Sequence, residues 1–233
     1  MGLANAPATF QRAMDQVLGG LKFVCVLIYI DDAIIFSSTW EQHLRDLEAV
    51  FHRLTEYSLF VKPNKCSFGA NSLLYLGHVV TADGLKPSDK HIEAVKNFPV
   101  PRTKTQLKSF LGLASFNRSF IPNFAKVTDP LRNLLRDSVP PDLTEQITAE
   151  ADGSQTSRTL WDLRCDAAFK RVKHALTTAP LLSYPDWTQG FTLRTDASYA
   201  GLGAVLRQGD KVIAYLSRGL SDAESFFGMA RPT

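Results

Sequence analysis

Cysteine is scarce in these 233 residues. There are three, Cys25, Cys66 and Cys165, far apart and odd in number, with no C-x-x-C pair. That excludes a disulfide framework, and with five scattered histidines it argues against a zinc site and for a reducing, intracellular setting. Long apolar runs are missing too. The longest is eight residues, 23–30, against the roughly 20 that a bilayer-spanning helix needs. No secretory signal pattern opens the chain, and Ala6 stands where a myristoylation signal after Gly2 wants Ser or Thr. Nor is there a strong overall charge. A net +3 is too mild to name a partner, and no membrane partner is expected.

What remains is a globular composition, 45% hydrophobic and 21% charged, on a length that suits one large or two modest domains. The chain is organised around residues 23–38, FVCVLIYIDDAIIFSS. Valine, isoleucine and aromatic residues make each arm a buried strand. Asp31-Asp32 is the only polar break and reads as the tip of a hairpin. Two adjacent carboxylates repel, and each carries a desolvation cost beside apolar walls. A divalent cation removes both problems, and oxygen-loving Mg²⁺ (or Mn²⁺) with paired aspartates is the apparatus of phosphoryl transfer. Asp-Asp at a turn is otherwise simply solvated, so the neighbouring residues decide.

Tyr29-Ile30-Asp31-Asp32 resembles the YxDD box of reverse transcriptases. Upstream, GLANAPATFQ over residues 2–11 is similar to the segment before that box in gypsy-type LTR-retrotransposon Pol proteins, at a matching spacing. The resemblance implies an α+β fold: a partial palm over 1–86, a helical thumb over 87–136, and the start of an RNase H-like domain over 159–233. It implies RNA-directed DNA polymerisation joined to RNA hydrolysis, with an RNA template, DNA primer, RNA–DNA hybrid, dNTP and the rest of the Pol polyprotein as partners. Asp31 and Asp32 would be polymerase metal ligands. Gly2, Gln11 and Tyr29 would lie near nucleotide or primer. Lys65 would steady the triphosphate or donate a proton to pyrophosphate. The run Tyr75, Leu76, Gly77 and His78 looks like a primer grip, although a satisfied structural role suits His78 as well. The same resemblance puts a third polymerase carboxylate before Met1 and the later RNase H acids past Thr233. The 233 residues alone are therefore expected to be an inactive fragment. The alternative is a non-catalytic nucleic-acid-binding remnant.

Local signals fill in the frame. A helix is expected over 7–18, capped by Asn5 and ended at Gly19, with Phe10, Met14 and Val17 on its core side. A second, over 39–57, opens with the capping box Ser38-x-x-Glu41 and buries Leu44, Leu47, Phe51 and Leu54. The resemblance puts a strand and turn at 59–65. Residues 73–80 read as one strand before a tight turn at Asp83-Gly84. Ser88 starts a helix that Pro99 stops, Thr103-x-x-Gln106 caps another, and Asp129-Pro130 opens a third. Residues 86–136 hold ten lysines and arginines against three acids, a block suited to a polyanion; Lys104, Lys108, Arg118 and Lys126 are its nucleic-acid-binding candidates. Residues 137–158, with two prolines and little apolar content, read as a disordered insertion. A helix over 161–176 and strands over 191–198, 201–206 and 212–216 follow. Asp196 on the first of these strands would be an RNase H metal ligand.

Overall fold

The computed structural model describes residues 4–136, 138–143, 146–151, 154–199, 201–221 and 224. The architecture is α+β, and the chain divides into two compact units, residues 1–75 and 76–233.

In the first unit, α1 (Ala6–Val17) buries Met14 and Val17. Phe10 stays on the surface, so the expected three-residue stripe is shortened to its C-terminal half. Asn5 precedes α1 without a side-chain cap. The hairpin follows as β1 (Val26–Tyr29) and β2 (Asp32–Ile35), in register Val26↔Ile35 to Tyr29↔Asp32. Only part of the apolar run is strand. Phe23 and Val24 lie outside it and are exposed, and alternation leaves one face of each arm half-open. Helix α2 (Trp40–Glu56) starts one residue later than expected: Thr39 is the cap, accepting from Gln42 N–H. Extended backbone at Thr39 lets its hydroxyl reach the helix; Val50 and Leu54 face inward while Leu44 faces out. Met14, Val17, Leu18, Val26, Ile28, Val50 and Leu54 form the core. Arg53 of α2 donates to the carbonyls of Val17 and Gly19, satisfying the end of α1. The expected strand at 59–65 is instead irregular, with a 3-10 turn at Pro63–Lys65. Strand β3 (Ser72–Tyr75) closes the unit.

The second unit begins with β4 (His78–Thr81) and β5 (Leu85–Pro87), paired antiparallel. What reads in sequence as one strand over 73–80 is thus two, interrupted at Leu76 and Gly77, both with positive φ (49° and 79°), the dihedrals of a two-residue turn. Helix α3 (Asp89–Lys96) is capped by Ser88 and α4 (Lys104–Phe116) by Thr103. Helix α5 (Phe124–Asn133) starts five residues before Asp129, so Pro130 lies inside it. Burial of Phe124, Val127 and Leu131 on one face outweighs the lost backbone donor at the proline.

The stretch expected to be disordered is tied down at its start. Leu143 is fully buried, and its N–H donates to Arg102 O while Lys104 N–H donates to Pro141 O. Two apolar residues, Val139 and Leu143, reach the core, a signal that the average composition hides. Beyond it, β6 (Gln146–Ala151) and β7 (Ser154–Thr159) pair antiparallel.

Helix α6 (Leu163–Thr177), capped by Asp162, packs Phe169, Val172 and Leu176 against Val95, Leu107, Phe110 and Leu131. The sheet β8 (Thr192–Ser198), β9 (Gly201–Gln208) and β10 (Lys211–Gly219) completes the unit in the order β10-β9-β8. Its β9–β10 part packs on α5, where Ser217 Oγ accepts from Ala125 N–H. Gly201 and Gly219 allow that approach, because a Cβ on either would overlap neighbouring atoms, the Arg132 guanidinium in the case of Gly219.

Candidate active site

The β1–β2 turn lies one residue earlier than an Asp-Asp tip. Tyr29 pairs with Asp32, so the two turn residues are Ile30 and Asp31, and Asp32 is already the first residue of β2. Ile30 has φ 54° while Asp31 does not share the positive φ. A positive φ at the first central residue alone is the pattern of a type II′ turn, a place that favours glycine. A β-branched residue there carries strain of about 1–3 kcal/mol. Asp31, Asp32 and Tyr29 are all exposed. Among the described residues neither aspartate is in an ion pair.

Gln11 on α1 holds this turn from behind. Its Oε1 accepts from Ile30 N–H at 2.6 Å, and its Nε2 donates to Asp15 Oδ1 at 3.0 Å and to Ile28 O at 3.5 Å. Asp15 in turn accepts from Lys22 Nζ. The Lys22 ammonium, then the Gln11 amide, hold the Asp15 carboxyl below its usual range. The sequence reading placed Gln11 near nucleotide or primer; the structure sets it against the backbone of the turn. Asp15 and Lys22 went unnoticed in sequence. The available signal was their placement with Gln11: Asp15 is one helical turn on, and Lys22 follows the helix end.

Tyr75, at the end of β3, has its hydroxyl pKa raised, first by burial and then by the charge of Asp32. Lys65 is exposed on its 3-10 turn, and Gly2 lies outside the described residues.

The rest of the expected grip sits in the second unit and is engaged in packing. His78 stacks on Phe116 (centroids 4.9 Å apart) and on Phe120 (5.5 Å), its Nδ1 faces Leu76 O at 3.2 Å, and burial lowers its pKa. Gly77 is required by its neighbours: a Cβ would come within 2.7 Å of the Phe116 ring. Leu76 is exposed. Of the basic candidates, Lys108, Arg118 and Lys126 are exposed. Lys104 is partly spent, donating to Arg136 O.

Asp196 lies on the edge strand β8, opposite Gly203. It lines a small cleft with Asn123, Lys126, Ser198 and Gly203. Asn123 and Lys126 come from the start of α5, a neighbourhood that no local pattern in the sequence announces. Among the described residues, no three His, Cys, Asp or Glu side chains converge as a metal-binding group.

A tight aspartate turn on a short hairpin, followed in the chain by a helical unit and a three-stranded sheet with one acid near a strand end, is the arrangement that the resemblance to reverse transcriptase with an RNase H-like unit implies. Family comparison agrees. Residues 1–80 match the reverse transcriptase (RNA-dependent DNA polymerase) family, and residues 161–229 match the RNase H-like domain found in reverse transcriptase. Similarity to gypsy-type retrotransposon Pol polyproteins runs over nearly the whole of this chain. The chain is 36% identical to the Pol polyprotein of transposon 297 and 38% identical to that of transposon opus, both from Drosophila melanogaster. Each alignment covers 96% of this chain but only 20% and 22% of the relative, so the chain spans about a fifth of these proteins. A foamy viral protease-reverse transcriptase solved with double-stranded DNA is similar in structure, with TM-score 0.77, 26% identity, and coverage of 97% of this chain and 37% of that one. The same kind of enzyme solved with an RNA/DNA hybrid gives TM-score 0.75 at 25% identity, over 97% and 28%. Among the described residues, no helix is long and apolar enough to cross a membrane.

Proposed function

We propose that the Asp31–Asp32 turn is the metal-binding element of an RNA-directed DNA polymerase. The observation that carries this reading is the turn itself: two exposed carboxylates, without ion-pair partners among the described residues, on a strained hairpin buttressed from behind. Hard oxygen donors of this kind fit Mg²⁺ or Mn²⁺, with Asp31 as principal ligand and Asp32 as the second. A metal held by these two residues would supply Lewis acidity to the primer 3′ hydroxyl and charge stabilisation to the departing pyrophosphate. Tyr29, directly across the strand pair from Asp32, packs beside the primer end. Lys65 steadies the nucleotide's phosphates. In this reading residues 1–86 are palm and 87–136 thumb. The exposed Lys108, Arg118 and Lys126 meet phosphates of an RNA–DNA hybrid, with the RNA template, the DNA primer, a dNTP and the other parts of the Pol polyprotein as partners.

Asp196 is the first acid of the RNase H unit in the same reading. A lone carboxylate sharing its cleft with Lys126 fits a metal poorly by itself, so no hydrolytic step is derived from it. The polymerase reading is tested by fusing the chain behind the preceding segment of the transposon 297 relative. Mg²⁺-dependent extension of a DNA primer on RNA is expected, and Asp31→Asn should abolish it while hybrid binding persists. Extension that survives Asp31→Asn overturns the assignment.

A further inference from the structure

We propose that Gln11 is a positioning residue for the Asp31–Asp32 turn, and that Asp15 and Lys22 set the direction in which its amide points. The role matters for catalysis only if that turn is the polymerase metal site, so to that extent the inference rests on the reading above.

The orientation of the Gln11 amide follows from its surroundings. Two of the atoms around it are acceptors, Asp15 Oδ1 and Ile28 O, and one is a donor, Ile30 N–H. Only one placement satisfies all three: NH₂ toward the acceptors and oxygen toward the donor. Flipped, the amide would set oxygen against oxygen twice and hydrogen against hydrogen once. Asp15 is itself fixed by Lys22 Nζ, and Lys22 is steadied over the Phe23 ring at 5.1 Å. A directed chain of contacts therefore runs from the Lys22 ammonium through Asp15 and Gln11 to Ile30 N–H. Gln11 and Asp15 can act together because they lie one turn apart on the same face of α1.

The receiving end is the strained residue. Ile30 holds φ 54°, a conformation that L residues with branched side chains rarely adopt. Without an outside partner, the turn gains by rotating Ile30 back toward ordinary dihedrals, and the next residue in the chain is Asp31. The short bond from Ile30 N–H to Gln11 opposes that rotation. Gln11 thus fixes the backbone from which Asp31 projects and the register in which Asp32 enters β2.

The experiment uses the whole 233-residue chain and reads backbone amide exchange by NMR. Gln11→Ala should speed exchange at Ile30 by about tenfold, the scale of one such hydrogen bond, while Val26 and Ile28 keep their protection. Gln11→Glu should also speed it, because a second carboxylate meets Asp15. The pair Gln11→Glu with Asp15→Asn should restore most of the protection, since the amide introduced at position 15 can donate to the carboxylate introduced at position 11 and still accept from Lys22, while that carboxylate still accepts from Ile30 N–H and loses only the longer contact to Ile28 O. General loosening of the fold would raise exchange along β1 and β2 together and would not be rescued by the pair. Either that pattern or an unchanged Ile30 overturns the proposal. A parallel titration with Mn²⁺, read by water-proton relaxation, separates the two readings. Binding that Asp31→Asn removes, that Gln11→Ala weakens and that the pair recovers supports both. No Asp31-dependent Mn²⁺ binding by the wild-type chain counts against the metal site, whereas the amide readout still decides whether Gln11 positions the turn.

Discussion

Asp31 and Asp196 are both exposed carboxylates on antiparallel hairpins, yet different kinds of structure hold them. The Asp31 turn is fixed by residues close in sequence: Gln11 and Asp15 on the preceding helix, and Lys22 just after it. Asp196 sits on an edge strand whose residues 192–197 are all exposed. Its surroundings come from α5, some seventy positions earlier, through Asn123 and Lys126. A site of the first kind is carried by its own short segment. A site of the second kind depends on long-range packing, and disturbing that packing should disturb Asp196 while leaving the turn alone.

The largest expected effect breaks the two apart at the core. Phe110 is fully buried and packs on Phe169 and Phe98 in the second unit. Phe110→Ala should cost about 3–5 kcal/mol, measured as a lower urea midpoint for probes in α4 and α6. Amide protection at Ile30 should survive in conditions where protection in β9 is lost, since the first unit has its own core. Simultaneous loss of both would show that the turn also leans on distant packing.

The next effect is local to the second site. A Cβ at Gly201 would lie 2.5 Å from Arg218 O and 3.3 Å from the Ala125 side chain. Gly201→Ala should therefore push β9 from β10 and α5, at about 1–3 kcal/mol. Shifts in the NMR signals of Asp196 and Asn123, with the Asp31 signals unmoved, would sharpen the contrast; no shift at Asp196 would remove it.

How much of each site was legible follows the same division. The hairpin, the helix caps at Ser88 and Thr103, and strands 191–198, 201–206 and 212–216 rest on local patterns, and all are present within a few residues. Errors arose where tertiary contacts decided. Pro130 reads as a helix start, but the burial of Phe124 and Val127 extends α5 past it. Leu143 reads as part of a polar insertion, yet it plugs the core beside Arg102. The aspartate pair was visible at once. Its exact turn was not, because the one-residue shift that makes Ile30 a turn residue depends on strand register and on a glutamine nineteen positions away. The neighbours of Asp196 could not be read at all without the packing of α5 on the sheet.

A smaller effect distinguishes basic residues that are free from those already engaged. Lys108 is exposed, whereas Lys104 donates to the carbonyl of Arg136. If Lys108 meets a phosphate, Lys108→Ala should reduce the slope of log K against log salt by about 0.9 for a B-form duplex. Lys104→Ala should change that slope less and lower thermal stability instead. Binding to duplex across a salt series, with melting curves for both variants, checks this. Equal slopes for both variants would mean that the Arg136 contact does not hold Lys104 back.

The smallest effect returns to the turn and concerns pH. Asp15 has its pKa lowered in the folded chain, by Lys22 first and Gln11 second. For a carboxyl whose folded pKa is depressed, the stabilisation is fully present above the unfolded value, near 3.8. It is lost as pH falls through the lower folded value. At neutral pH the Lys22–Asp15–Gln11 chain is therefore intact, and acid should loosen it only below pH about 4. Protonated Asp15 no longer attracts Lys22 as an ion, although its carbonyl oxygen still accepts from Gln11, so the loosening should be partial. Ile30 exchange, corrected for the intrinsic pH dependence of amide exchange, should rise across this acid range in the wild-type chain. In Asp15→Asn, which cannot titrate there, the acid rise should be absent. Among the described residues no such chain stands behind the Asp196 hairpin, whose amides serve as the internal control. An acid rise of the same size at Ile30 in Asp15→Asn would show that another carboxyl, not Asp15, governs the turn.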